Sequence, residues 1–170
     1  MSTSTVVGKV APAKLKRARA ARRVGLAALF AFLALGAANV FGVRSAVVSA
    51  SRGGYDLTVT YGAMSRAGLA TPWAVEVRRE GGFDGPVTLA TTYDYFDLFD
   101  ENGLDPDPSA VTTDGERIIW VFEPPPGEIL SISFDARISP AVQVGKSAET
   151  SVLVGGRSVV GVRYTTGVMP

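Results

Sequence analysis

Six acids fall within fourteen residues: Asp94, Asp97, Asp100, Glu101, Asp105 and Asp107. Carboxylates at that density are a candidate Ca²⁺ site, because the ion takes about six to eight oxygen ligands. Their spacing is not that of an EF-hand loop, since no Asp-x-Asp-x-Asp-Gly run precedes a Glu at the twelfth position. Any calcium would bind weakly and order the loop. Paired carboxylates also serve glycosidases, one as acid and one as base or nucleophile, but nothing in the spacing fixes two of them at a working separation. The chain has no His and no Cys. That removes Ser-His-Asp and Cys-His catalysis, thiol chemistry, disulfides and most zinc, copper and haem sites. Lys146 is the only lysine beyond residue 16 and thus the single candidate base for a Ser-Lys dyad. Its neighbours Gly145 and Ser147 read as a surface turn. The residue types argue against an enzyme and name no cofactor.

Among the acids stand Tyr93, Tyr95, Phe96, Leu98 and Phe99. Aromatics on an irregular loop either fold back over a β-domain or project as a contact surface with an acidic rim. The sequence leaves both open. Asp105-Pro106-Asp107-Pro108 excludes a regular strand, so residues 93–109 read as a long excursion with one helical turn near Asp97 to Glu101.

The segments around this loop alternate with period two. Leu57, Val59 and Tyr61 share one face, as do Trp73, Val75 and Val77, then Val87, Leu89 and Thr91. After the Asp114-Gly115 turn come Ile118, Trp120 and Phe122. Leu130, Ile132, Phe134, Ala136 and Ile138 make the longest clean alternation. Ala148, Thr150, Val152 and Val154 meet Val160, Val162 and Tyr164 across Gly155-Gly156, a two-residue hairpin signal. Seven or eight strands with frequent turns and no helix predict an all-β, Ig-like β-sandwich over residues 55–168, centred on Trp73, Trp120 and Phe134.

The order of Trp73, the aromatic-centred run Ile118-Ile119-Trp120-Val121-Phe122, the Pro126-Gly127-Glu128 turn and the alternation from Leu130 to Phe134 resembles the Ig-like repeats of bacterial surface proteins known as the DUF11 family. The resemblance covers Trp73 to Val154. It implies a fold and carries no active-site residues. Arg79-Glu80-Gly81-Gly82 replaces the family's usual Asn-Gly region, and a single repeat stands in place of an array.

In front of this domain lies Val24 to Val43, an uninterrupted apolar run of 20 residues. As a helix it would measure about 30 Å, the thickness of a bilayer's hydrocarbon core. Lys9, Lys14, Lys16, Arg17, Arg19, Arg22 and Arg23 precede it with no acid among them, whereas the rest of the chain sets all sixteen acids against ten bases. Bases beside a first span keep that end cytoplasmic. Near an anionic leaflet each contributes on the order of 1 kcal/mol, so Lys14, Lys16, Arg17, Arg19, Arg22 and Arg23 are the expected lipid contacts. A cleaved signal peptide is the competing reading, with Val48-Ser49-Ala50 as its cleavage site. The length of the run and the interposed Arg44 oppose it. Ala27, Ala31, Ala34 and Ala38 recur at spacings of four, three and four, a face on which another helix could pack closely.

The expected organisation is a basic cytoplasmic tail (1–23), a transmembrane helix (24–43), a linker (44–54) and the extracytoplasmic sandwich. It describes a single-pass protein of the cytoplasmic membrane with its N-terminus inside, whose partners are the bilayer and another membrane or envelope protein, and not nucleic acid. Its expected role is a non-catalytic interaction or accessory subunit. The alternative is a secreted or anchored calcium- or carbohydrate-binding module that uses the loop 93–109, with Tyr93, Tyr95, Phe96 and Phe99 as its contacts.

Overall fold

The computed structural model describes residues 12–37, 43–100 and 103–169, with side chains from residue 17 onward. The chain separates into two compact units, Met1–Phe41 and Gly42–Pro170.

The first unit holds helix α1, Pro12–Ala37. Proline opens it, where a missing N–H costs nothing, and Ala, Lys, Arg and Leu continue it as strong helix formers. Its 26 residues measure about 39 Å, and Arg17–Ala37 is long and apolar enough to cross a membrane. The helix therefore starts well before the expected Val24, and the basic segment forms its first turns. Val43 is not helical, and residues 38–42 lie outside the described residues.

The second unit is a strongly curled, mostly antiparallel sheet of eleven strands. β2 (Tyr55–Arg66), β3 (Ala70–Arg79) and β9 (Ile129–Ile138) form one wall, and β4 (Val87–Thr92), β8 (Arg117–Phe122) and β10 (Lys146–Val154) form the other. The long β11 (Arg157–Met169) joins them. Nine of its first ten residues pair antiparallel with β10, Val159 being skipped at a bulge, and Gly167 to Met169 then pair parallel with β2 at Met64 to Arg66. The alternations seen in the sequence point inward as expected: Leu57, Val59, Trp73, Val75, Val77, Leu89, Trp120, Phe122, Ile132, Ile138, Val160 and Val162 are buried. Burying each large one contributes about 1.5–3 kcal/mol. Tyr61, Ile118 and Phe134 of the same alternations are half-buried, and Val154 is exposed. The pairing of β10 with β11 shifts register between Val152 and Leu153, and Val154 lies beyond the shift.

Two further findings correct the sequence reading. Residues 44–54 are not a linker: Arg44–Arg52 is a strand, β1, paired residue by residue with β2 across a Gly53-Gly54 turn. Both glycines adopt positive φ (61° and 79°), the conformation a two-residue hairpin of this kind requires. Gly155-Gly156 repeats the device between β10 and β11. The excursion 93–109 also contains more structure than expected. A 3₁₀ turn spans Tyr93–Leu98, β5 (Phe99–Asp100) and β6 (Leu104–Asp105) pair with β9, and β7 (Ala110–Thr113) pairs with β8.

The curl consequently has two unlike seams. On one side β2, β1 and β11 lie together, with β1 hydrogen-bonded to β2 and packed beside β11. On the other side the walls end in β5 and β6, two residues each, and in the four-residue β7. The loop and the 3₁₀ turn occupy the space between them.

Candidate aromatic groove at the open seam

The 3₁₀ turn brings residues three apart to one side, so Tyr95 and Leu98 both point into the core and are fully buried. The Tyr95 hydroxyl bonds the Thr166 hydroxyl at 2.8 Å. Phe96 enters a cluster of rings, with centroids 5.2 Å from both Trp73 and Trp120 and 5.5 Å from Phe134, all near edge-to-face. Phe99 follows on β5 and is also buried. Tyr93 stays outside, 46% exposed. Of the four rings expected to make contacts, Tyr95 and Phe99 therefore belong to the core, Phe96 is half-buried, and Tyr93 alone is a surface residue.

Lys146 fastens this turn to β10. Its ammonium donates to the Asp94 carbonyl and to Asp97 Oδ2, each at 2.8 Å. The neighbouring Ser147 hydroxyl bonds Thr165, and the Lys146 ammonium, the single candidate base for a Ser-Lys dyad, is engaged by the turn. The acids also disperse. Asp97 is committed to Lys146, and Asp94, Asp100, Asp105 and Asp107 are exposed without assembling a carboxylate cluster able to hold a metal among the described residues. Glu101 lies outside the described residues. The five described candidates for calcium do not converge, because the turn and two short strands spread them along the seam.

What the seam does form is a groove of about 700 Å³. Tyr93, Phe96, Asp97, Phe99, Gly103, Leu104, Asp107 and Pro108 come from the excursion, Ile118 and Trp120 from β8, and Phe134 from β9. Leu104 sits opposite Phe134. On the other wall Val111 sits opposite Trp120 and Thr113 opposite Ile118. Directly paired residues of antiparallel strands share a face, so Val111 continues the wall of the groove outward, and it is 53% exposed. The sequence reading missed β7 and hence this wall. Ala-Val-Thr-Thr between Pro108 and Asp114 is too short to show periodicity. The signal was indirect: a strand after Asp114-Gly115 needs a partner before it.

Behind the groove's rings, a buried polar chain crosses the core. Trp73 Nε1–H donates to the Tyr164 hydroxyl at 2.8 Å, which bonds Thr150 at 2.8 Å, which bonds Thr91 at 3.0 Å. These residues tie β3 to β11, β10 and β4. Burial pushes the Tyr164 phenol up to about 12, and burial together with the nearby Tyr164 raises Tyr95 further. Both are structural hydroxyls.

On the helix, Ala27, Ala31 and Ala34 are exposed, while Ala38 lies outside the described residues. Arg17, Arg19, Arg22 and Arg23 are exposed too. Lys14 and Lys16 belong to α1, with side chains outside the described set. No protein-family model and no curated protein matches the chain.

Proposed function

We propose that this is a non-catalytic, single-pass membrane protein that holds a small β-domain beside the outer face of the cytoplasmic membrane, as an accessory or interaction subunit of an envelope assembly. One observation carries the reading: a helix long enough to span a bilayer is followed by β1 after only residues 38–43. Those six residues reach at most about 22 Å fully extended. A partner in the same membrane is then easier to engage than one on another surface. The bases before and within the first turns of α1 favour an N-terminus inside, and Arg17, Arg19, Arg22 and Arg23 are free to meet anionic headgroups. Ala27, Ala31 and Ala34 offer a close-packing face to a second helix. The two walls joined through β11 support an Ig-like, DUF11-like arrangement of the domain.

The absence of cysteine makes the test clean. Single-cysteine variants Thr3→Cys and Ser158→Cys are treated with a membrane-impermeant maleimide in right-side-out spheroplasts. Ser158→Cys is expected to react in intact spheroplasts and Thr3→Cys only after lysis. Reaction of Thr3→Cys alone in intact spheroplasts, or recovery of the protein from the medium, would contradict the reading.

A further inference from the structure

The open seam combines three features that no part of the membrane reading uses. The first is the groove, apolar on both walls, with Leu104 and Phe134 facing Trp120 and Val111. The second is its charge. Residues 93–109 contain six acids and no base. Lys146 neutralises Asp97, while Asp107 on the rim, with Asp100 and Asp105 beside groove residues, makes no ion pair among the described residues. The third is the edge of β7, which pairs with β8 on one side and, among the described residues, with no strand on the other.

From these we infer that the groove docks an extended peptide segment of a partner protein, in which apolar residues alternate with lysine or arginine. The segment adds to the open edge of β7. A strand added there presents alternate side chains to one face. One set lies on Val111 and between the groove walls, displacing water from apolar surface that the fold leaves open. The other set carries the positive charge that Asp107 and its neighbours call for. An anionic segment is opposed by the same field. A sugar is disfavoured for a different reason: Phe96 and Trp120 pack edge to face, with Trp120 only 5% exposed, so Tyr93 is the one exposed ring among the described groove residues and a second stacking face is missing beside it. The inference rests on reading the domain as a binding module, and it is independent of which way the helix is oriented.

The test uses the full chain in a nonionic detergent and isothermal calorimetry with a seven-residue probe alternating valine and lysine. Binding at micromolar to submillimolar concentration is expected, weakening as salt rises, because exposed charges are screened over about 8 Å at physiological ionic strength. The matched valine–glutamate probe is expected to bind at least tenfold more weakly. So is the lysine probe N-methylated at alternate residues, which cannot donate to a strand edge. In the protein, Tyr93→Ala and Val111→Lys change exposed side chains and are expected to weaken binding about tenfold, and Asp107→Lys about fivefold, with the melting temperature unchanged. No binding of the lysine probe at millimolar concentration, equal affinity for the glutamate probe, indifference to N-methylation, or binding of a neutral linear hexasaccharide in its place would each overturn the inference. None of these outcomes bears on membrane topology, so failure here is distinguishable from failure of the spheroplast labelling.

Discussion

The two seams of the β-domain solve the same problem in opposite ways. A curled sheet must do something with the strands that end each wall, since bare edges invite uncontrolled pairing. On one side the chain supplies its own cover: β1 pairs along nine residues with β2 and packs beside β11 without a ladder to it, and β11 passes from one wall to the other. On the opposite side the covering strands shrink to two and four residues, and an acidic, aromatic turn plugs the gap without filling it. The closed seam is built for stability. The open one leaves apolar surface and a strand edge available, and the chain bears its acids there.

The comparison is broken most forcefully at the polar chain that ties the walls together through the core. Tyr164→Phe strands the Trp73 N–H in the core and takes from the Thr150 hydroxyl one of its two partners, leaving it Thr91. An unsatisfied buried group costs about 1–3 kcal/mol, so a loss of about 3 kcal/mol is expected in chemical denaturation. At the open seam Phe96→Ala removes the ring shared by Trp73, Trp120 and Phe134, and because Phe96 is half-buried about 2–3 kcal/mol is expected, below the range for a fully buried Phe.

A sharper pair distinguishes a strand from a linker at β1. Val48 packs against the core while Val47 is 64% exposed. Val48→Asp should cost about 2 kcal/mol and Val47→Asp less than about 0.5. Equal small effects would return this segment to a tether.

That segment also shows where the sequence was legible and where it was not. The run from Leu130 to Ile138 announces β9 because large apolar residues alternate with polar ones. Gly155-Gly156 announces a hairpin because strong strands flank it. Gly53-Gly54 is the same signal, but Ala46, Val48 and Ala50 form an inner face too small to stand out against Ser45, Val47, Ser49 and Ser51. The loop posed a different difficulty. Composition marks Tyr93, Tyr95, Phe96 and Phe99 alike, and only a 3₁₀ repeat, which places Tyr95 with Leu98, decides which rings turn inward. The acids were visible as a cluster in sequence, yet a site is made by convergence in space, and Lys146, 49 residues away, took Asp97.

Titration offers a smaller effect. The folded-state pKa values of Tyr95 and Tyr164 lie above the ordinary value near 10, so above pH 10 the unfolded chain releases protons that the folded one retains. Stability is therefore full below pH 10 and falls as pH rises towards 12. Thermal unfolding between pH 9 and 12 should show that decline, and Tyr95→Phe, though less stable at neutral pH, should show a shallower one. The smallest effect is expected at Lys146→Ala, where an exposed ion pair contributes about 0.2–1 kcal/mol.

Native-state hydrogen exchange of the full chain in detergent tests the difference between the seams most directly. Amides of β1 that bond to β2 should exchange nearly as slowly as those of β2 and β3, whereas the outward amides of β7 should exchange almost as fast as an open loop. Rapid exchange throughout residues 44–52, or protection of β7 equal to that of β1 in the free protein, would contradict the account.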